Sequence, residues 1–112
     1  VCSSALTVAY QEMTHRHPSA RWNIYVWHFT DGDNDYSDNA VYTARMADVL
    51  LECTMCAFAE IRWQHASIVP SSLMQAIAQS PHPRLVTTVL RQKEDIHAAL
   101  KTFLGADVTG HA

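Results

Sequence analysis

The apolar positions change period several times along the chain, and each change marks an element. Leu6, Ala9, Tyr10 and Met13 recur at i, i+3, i+4 and i+7 with Ser3 or Ser4 available as N-cap, so residues 4 to 16 are predicted to form an amphipathic helix that Pro18 closes. Asn23 to Phe29 carries Ile24, Tyr25, Val26, Trp27 and Phe29 in a short run before Asp31-Gly32, the mark of a buried strand. A polar stretch from Thr30 to Asn39 leads into a second helix spaced by Ala40, Ala44, Ala47 and Leu51, with Ser37 or Asp38 as its cap. Cys53 to Ile61 is a second apolar strand, and its weak alternation suits burial on both faces. Pro70-Ser71-Ser72 opens a third helix through Leu73, Met74 and Ile77, ended by Ser80-Pro81-His82-Pro83. Arg84 to Leu90 is a third strand. Glu94 and Asp95 occupy the first turn of a last helix, where its dipole favours them, and Ile96, Ala99, Leu100 and Phe103 line it until Gly105.

Helix and strand thus alternate strictly. That order predicts a three-layer α/β/α domain around a mostly parallel sheet, with helices on both faces joined by right-handed crossovers. Residues 1 to 112 read as a single domain, since the length supports one core and no repeat or low-complexity stretch divides it. The helical pattern starts almost at once after Val1, which suggests a segment of something longer.

Charge narrows the choice of partners. Eleven acids against eight bases give a net charge of −3, and no lysine-arginine cluster exists, so a nucleic-acid binder with a basic face is not expected. No apolar run approaches the ~20 residues of a membrane span, and Val1 is not followed by a basic-then-apolar signal. Three cysteines, Cys2, Cys53 and Cys56, are an odd and sparse set for a disulfide framework, so a reducing cytoplasm is the expected location.

The chemistry concentrates after the first strand. In an open parallel sheet, ligands collect beyond the carboxyl ends of the strands, where loops and helix N-termini converge. There the chain reads Thr30-Asp31-Gly32-Asp33-Asn34-Asp35-Tyr36-Ser37-Asp38, with four acids and no base. Crowded carboxylates repel unless a cation or water relieves them, and oxygen ligands of this kind suit magnesium, calcium or manganese. A solvated acidic loop that caps the next helix is the plain alternative. An EF-hand is excluded, because Tyr36 and Tyr42 stand where it requires glycine and a bidentate glutamate. Asp31-Gly32-Asp33 has the Asp-x-Asp form of a haloacid-dehalogenase-type phosphatase, with Asp31 as nucleophile and Asp33 as acid or base, although the accompanying lysine and second acidic pair are not evident. Thr30-Asp31-Gly32 also fits a metal-ion-dependent adhesion site, in which a strand ends in Thr-Asp-Gly.

Several blocks together point to one family: Ser3-Ser4-Ala5-Leu6, Trp22-Asn23-Ile24-Tyr25, Thr30 to Asn34, Ala59-Glu60-Ile61, and Glu94-Asp95-Ile96 ahead of Phe103. In these the chain resembles the carboxyl-terminal part of the bacterial YeaH/YhbH family, over nearly its whole length. That family resembles von Willebrand factor A domains, which are Rossmann-like. The resemblance implies half of such a domain, with Asp31 as the Thr-Asp-Gly aspartate of a metal site. Its Asp-x-Ser-x-Ser motif is absent here, and its threonine would fall just before Val1. It further implies a protein-interaction role without turnover in bacterial stress or sporulation physiology, with an AAA-type serine kinase or a SpoVR-like protein as partner.

Physical consequences follow from that departure. Asp31, even helped by Asp33, offers too few fixed oxygens to strip magnesium of its waters, so weak binding or none is expected. The remainder of such a domain would also supply a strand beside Asn23 to Phe29; without it an apolar edge is left, and a homodimer or strand exchange through that edge is expected. The alternative function is a magnesium-dependent phosphohydrolase using Asp31 and Asp33.

Other residues have simpler explanations. Glu60, near the end of the central strand, either reaches the Asp31 loop or pairs with Arg62 or Arg45, and pairing is the simpler reading. Cys53-Thr54-Met55-Cys56 has redox spacing, but on a strand the two thiols point to opposite faces, which favours packing. His15, His17, His28, His65, His82, His97 and His111 lack the paired spacing of a zinc site. Trp22, Trp27 and Trp63 flank strands and read as core or rim. A Gly-x-Ser-x-Gly elbow and a glycine-rich phosphate loop are both missing.

Overall fold

A computed structural model describes residues 2–18, 20–62 and 70–110, the last five by backbone alone. Trp63, His65 and His111, considered above, lie outside the described residues. The elements run α1 (Cys2–Arg16), β1 (Tyr25–Thr30), a short 3-10 turn (Tyr36–Asp38), α2 (Asn39–Glu52), β2 (Met55–Ile61), α3 (Ser72–Ala78), β3 (Leu85–Leu90) and α4 (Glu94–Gly110). The three strands form one sheet in the order β1-β2-β3, and both pairings are parallel. The alternation of helix and strand forces this arrangement, because consecutive parallel strands need a crossover helix between them.

Helices cover both faces of the sheet. On one side Leu6, Met13, Tyr42, Met46, Val49, Leu50, Leu73, Met74 and Ile77 from α1, α2 and α3 pack with Cys56 and Phe58 of β2. On the other, Ala99 and Phe103 of α4 meet Met55, Ala57, Ala59 and Leu90. The six residues Met55–Glu60 are all buried, as the weak alternation of the central strand requires.

Several boundaries differ from the sequence expectations, each for a local reason. β1 begins at Tyr25, two residues after the predicted start, because Ile24 is already paired outside the ladder: its N–H donates to Thr54 Oγ1 (3.0 Å) and its carbonyl accepts from Thr54 N–H (2.7 Å). Ser3 lies inside α1 rather than capping it, and Asp38, although it precedes α2, makes no side-chain cap there. α4 runs through Gly105 to Gly110, past its predicted end. A glycine inside a helix costs about 1 kcal/mol relative to alanine, which a helix packed on the sheet through Phe103 can absorb. Cys53 is not on β2 at all but follows α2 as its C-cap, so the expected opposite-face arrangement is wrong: both Cys53 and Cys56 are buried in the same cluster beneath α1–α3. Their packing role stands, and both are free thiols.

Candidate functional site at the carboxyl edge of the sheet

All three strands end at one rim, and the acidic loop leaves β1 there. Thr30 and Glu60 are register partners at the ends of β1 and β2. Two residues on, Gly32 takes φ +82°, a conformation that strains any residue with a Cβ. Space explains the choice further. A Cβ at Gly32 would sit 2.5 Å from Glu60 Oε1 and 2.9 Å from Ser71 Cβ, so only glycine lets the loop lie on the end of β2 and the start of α3.

Glu60 is completely buried, and a carboxylate there must be compensated. Ser71 donates to it from both Oγ and its backbone N–H (3.3 Å), and Arg62 Nη1 lies 3.4 Å away. Ser71 in turn caps α3, its Oγ accepting from Met74 N–H at 3.1 Å. The predicted alternatives for Glu60 are therefore resolved in part: it pairs with Arg62 and touches the loop through Gly32, while Arg45 is engaged by Asp48 at 3.0 Å. Ser71 was read from sequence only as a helix start. An N-cap that follows a strand in a parallel sheet necessarily stands at this rim, and that signal could have placed it beside Glu60.

The four loop acids divide into two groups. Asp38 accepts from Ser3 N–H (3.0 Å) and Ser3 Oγ (2.5 Å), while Asn34 Oδ1 accepts from Cys2 N–H (2.9 Å), so the loop caps the start of α1 from a distance in sequence. Asn34 also donates to Asn39 Oδ1, and Asn39 Nδ2 to Ser72 Oγ, each at 2.9 Å, tying the loop to α2 and α3. Asp35 accepts from Ser37 N–H and Oγ. The Ser37 hydrogen bonds hold the Asp35 carboxyl below its ordinary range, and the Ser3 hydroxyl does the same for Asp38. Hydrogen bonds and the positive end of α1 thus relieve Asp35 and Asp38, as a helix-capping acidic loop would.

Asp31 and Asp33 remain at the exposed tip. Asp31 Oδ1 accepts from Asp33 N–H at 2.8 Å, and Thr30 Oγ1 accepts from Gly32 N–H at 3.2 Å, so the tip is a tight pair of side-chain turns. Among the described residues, no three His, Cys, Asp or Glu side chains gather as a metal-binding group. Asp31 and Asp33 are brought to one place as expected, but they do not by themselves fit a closed magnesium site, which needs near-octahedral oxygen ligation.

Below the rim on the same face, His28 Nδ1 and Tyr42 Oη lie 2.6 Å apart, with the imidazole edge-on to Phe58. Burial pushes the His28 pKa down and that of Tyr42 up, so a neutral imidazole and a neutral phenol share this hydrogen bond. This pair supports the base of β1 and was not singled out from sequence as a unit. Among the described residues, no helix is long and apolar enough to cross a membrane.

Fold and rim together define an α/β domain with an open parallel sheet and an acidic carboxyl-edge loop. Its family is one described as a protein of unknown function (DUF444), whose model matches residues 1–107. The chain is 35% identical over 103 residues to a UPF0229 protein of Halalkalibacterium halodurans, covering 92% of this chain and 26% of that protein. It is 30% identical over 110 residues to a UPF0229 protein of Bacillus velezensis, covering 98% and 27%. A UPF0229 protein of Bacillus thuringiensis is 31% identical over 103 residues. The chain belongs to this bacterial family, the YeaH/YhbH family to which the motifs pointed. It spans about a quarter of the length of these curated relatives. No solved structure matches it.

Proposed function

We propose that this segment is part of a von Willebrand A-like protein-interaction domain, binding a partner at the Asp31–Asp33 tip without chemical turnover. One observation carries the reading: the Thr30-Asp31-Gly32 turn is locked against buried Glu60 and Ser71 and leaves the carboxylates of Asp31 and Asp33 facing solvent. A rigid base under two exposed charges is the arrangement a recognition loop needs, because a preorganised loop loses little entropy on binding. The finer reading is a cation-dependent contact, with Asp31 and Asp33 as this segment's share of the ligands and the others contributed by the rest of the longer relatives. For this chain alone it means weak magnesium binding. The resemblance to the YeaH/YhbH family makes an AAA-type serine kinase or a SpoVR-like protein the first partners to try.

The test is capture of each of these two proteins on the immobilised chain, with magnesium and with a chelator. Retention that depends on the metal and disappears in Asp31→Asn is the expected result. Turnover of a generic phosphate ester that is lost in the same variant would overturn the reading in favour of a phosphohydrolase built on Asp31 and Asp33.

A further inference from the structure

Asp31 is the one aspartate or asparagine of the sequence that a glycine follows, and it stands exposed at the tip of the acidic loop. That pair of residues has a chemistry of its own. An aspartyl side chain can close on the next backbone nitrogen to form a five-membered imide, and a following glycine favours the reaction because no Cβ obstructs the approach. Both reacting groups are held here by other neighbours. The Gly32 N–H, which would supply the attacking nitrogen, donates to Thr30 Oγ1 at 3.2 Å. The Asp31 carboxyl, which would be attacked, accepts from Asp33 N–H at 2.8 Å. Gly32 is also wedged against Glu60 and Ser71 at φ +82°, so reorienting the Asp31–Gly32 peptide for ring closure disturbs that seat.

We propose that Asp31–Gly32 is a site of spontaneous isoaspartate formation that the fold guards, with Thr30 as the guarding residue, so that the tip is modified only when the loop opens locally. The reaction balances with water alone. The Gly32 nitrogen bonds to Asp31 Cγ, the Cγ–OH bond of the protonated carboxyl breaks, and the amide proton leaves with that hydroxyl as water. A second water then opens the ring. Opening at the Asp31 α-carbonyl breaks its bond to the Gly32 nitrogen and leaves the main chain running through Cγ, with the α-carboxylate as the side group. A main chain lengthened by one carbon does not fit the seat of Gly32 on the end of β2, so the modification disables the tip. Nothing in these steps depends on a cation or a partner, and the inference stands apart from the function proposed above.

The experiment incubates the 112-residue chain in warm neutral buffer, folded and in concentrated urea. Isoaspartate at residue 31 is counted by chromatography and electron-transfer fragmentation of its peptide, with Asp33 and Asp35, which Asn34 and Tyr36 follow, as internal references. The expected result is accumulation in urea at Asp31 well ahead of the references, and a rate lower by about tenfold or more in the folded chain. Thr30→Val should raise the folded rate toward that in urea, while Thr30→Ser, which keeps the hydroxyl, should not, and thermal melts check that both are folded. If the valine variant unfolds, hydrogen exchange at the Gly32 amide of the unaltered chain carries the test, and slow exchange is predicted. Absence of isoaspartate at Asp31 in urea, equal rates in the folded and unfolded chain, a folded Thr30→Val no faster than the original, or an unprotected Gly32 amide would each overturn the proposal.

Discussion

Gly32 and Glu60, 28 residues apart in sequence, touch so closely that a methyl group on the Gly32 Cα would stand 2.5 Å from the Glu60 carboxylate oxygen Oε1. The acidic loop is therefore seated on the buried end of the central strand. Gly32→Ala should destabilise the chain by about 2 to 3 kcal/mol, combining a positive φ with a steric clash. Because Glu60 is the nearer of the two clash partners, with Ser71 Cβ the other, Gly32→Ala combined with Glu60→Ala should cost less than the sum of the two single changes. Urea denaturation of the four proteins in this cycle measures the coupling, and strict additivity would show that the loop does not rest on Glu60.

Glu60 itself should tolerate change of charge better than loss of shape. An amide can still accept from Ser71, so Glu60→Gln should cost about 1 to 2 kcal/mol, most of it from the weakened contact with Arg62. Glu60→Ala leaves the Ser71 donors without their acceptor and removes one from the Arg62 guanidinium, and should cost about 3 kcal/mol. Equal losses for the two variants in chemical denaturation would contradict this role.

Acid should weaken the fold in two stages. The His28 pKa is lowered by burial from its usual 6.5, so the unfolded chain binds the proton first, and stability present above pH 6.5 is lost as pH falls toward the folded value. Asp35 and Asp38, held below the usual 3.8 by the Ser37 and Ser3 hydrogen bonds, likewise contribute above that pH, and their contribution is lost on further acidification. Thermal melts across this range should show the upper stage, and nuclear magnetic resonance should place the His28 midpoint below 6.5. Asp38→Asn should flatten the lower stage selectively and loosen the start of α1. A His28 midpoint above its usual value would contradict the neutral Tyr42–His28 pair.

The cysteines should separate by reactivity. Cys2 is partly exposed, whereas burial pushes the Cys56 thiol up to about 12 and raises Cys53 as well, which leaves almost no thiolate at neutral pH. A thiol-specific reagent should label Cys2 quickly and the other two only on unfolding, as mass spectrometry of timed samples would show. Formation of a disulfide between Cys53 and Cys56 in the folded chain would contradict their packing role.

What could be read from the sequence was local. Apolar runs such as Tyr25 to Phe29 and Met55 to Ala59, bounded by turn residues, mark strands whatever surrounds them, and the alternation of elements then fixes a parallel sheet. The carboxyl-edge position of Asp31 and Asp33 follows from that topology. The stop at Gly105 misled because glycine only weakens a helix, and packing through Phe103 outweighed it. What stayed hidden were the partnerships between distant residues. Asp38 with Ser3, Asn34 with Cys2, and Glu60 with Ser71 and Gly32 leave no periodic trace, because each joins groups whose meeting depends on the whole sheet being assembled. Hence residue types alone leave cation binding and helix capping both open for the loop acids, and only the assembled sheet shows Asp35 capping the 3-10 turn and Asp38 the start of α1.

The proposed function requires Asp31 and Asp33, the exposed tip of a loop otherwise satisfied from within, to meet a cation. The direct measurement is a manganese titration of the isotopically labelled chain followed by amide resonances. Selective broadening confined to residues 30–35, reached only at millimolar manganese and removed by Asp31→Asn, is the predicted result. Broadening centred elsewhere, or saturation at micromolar metal, would contradict it.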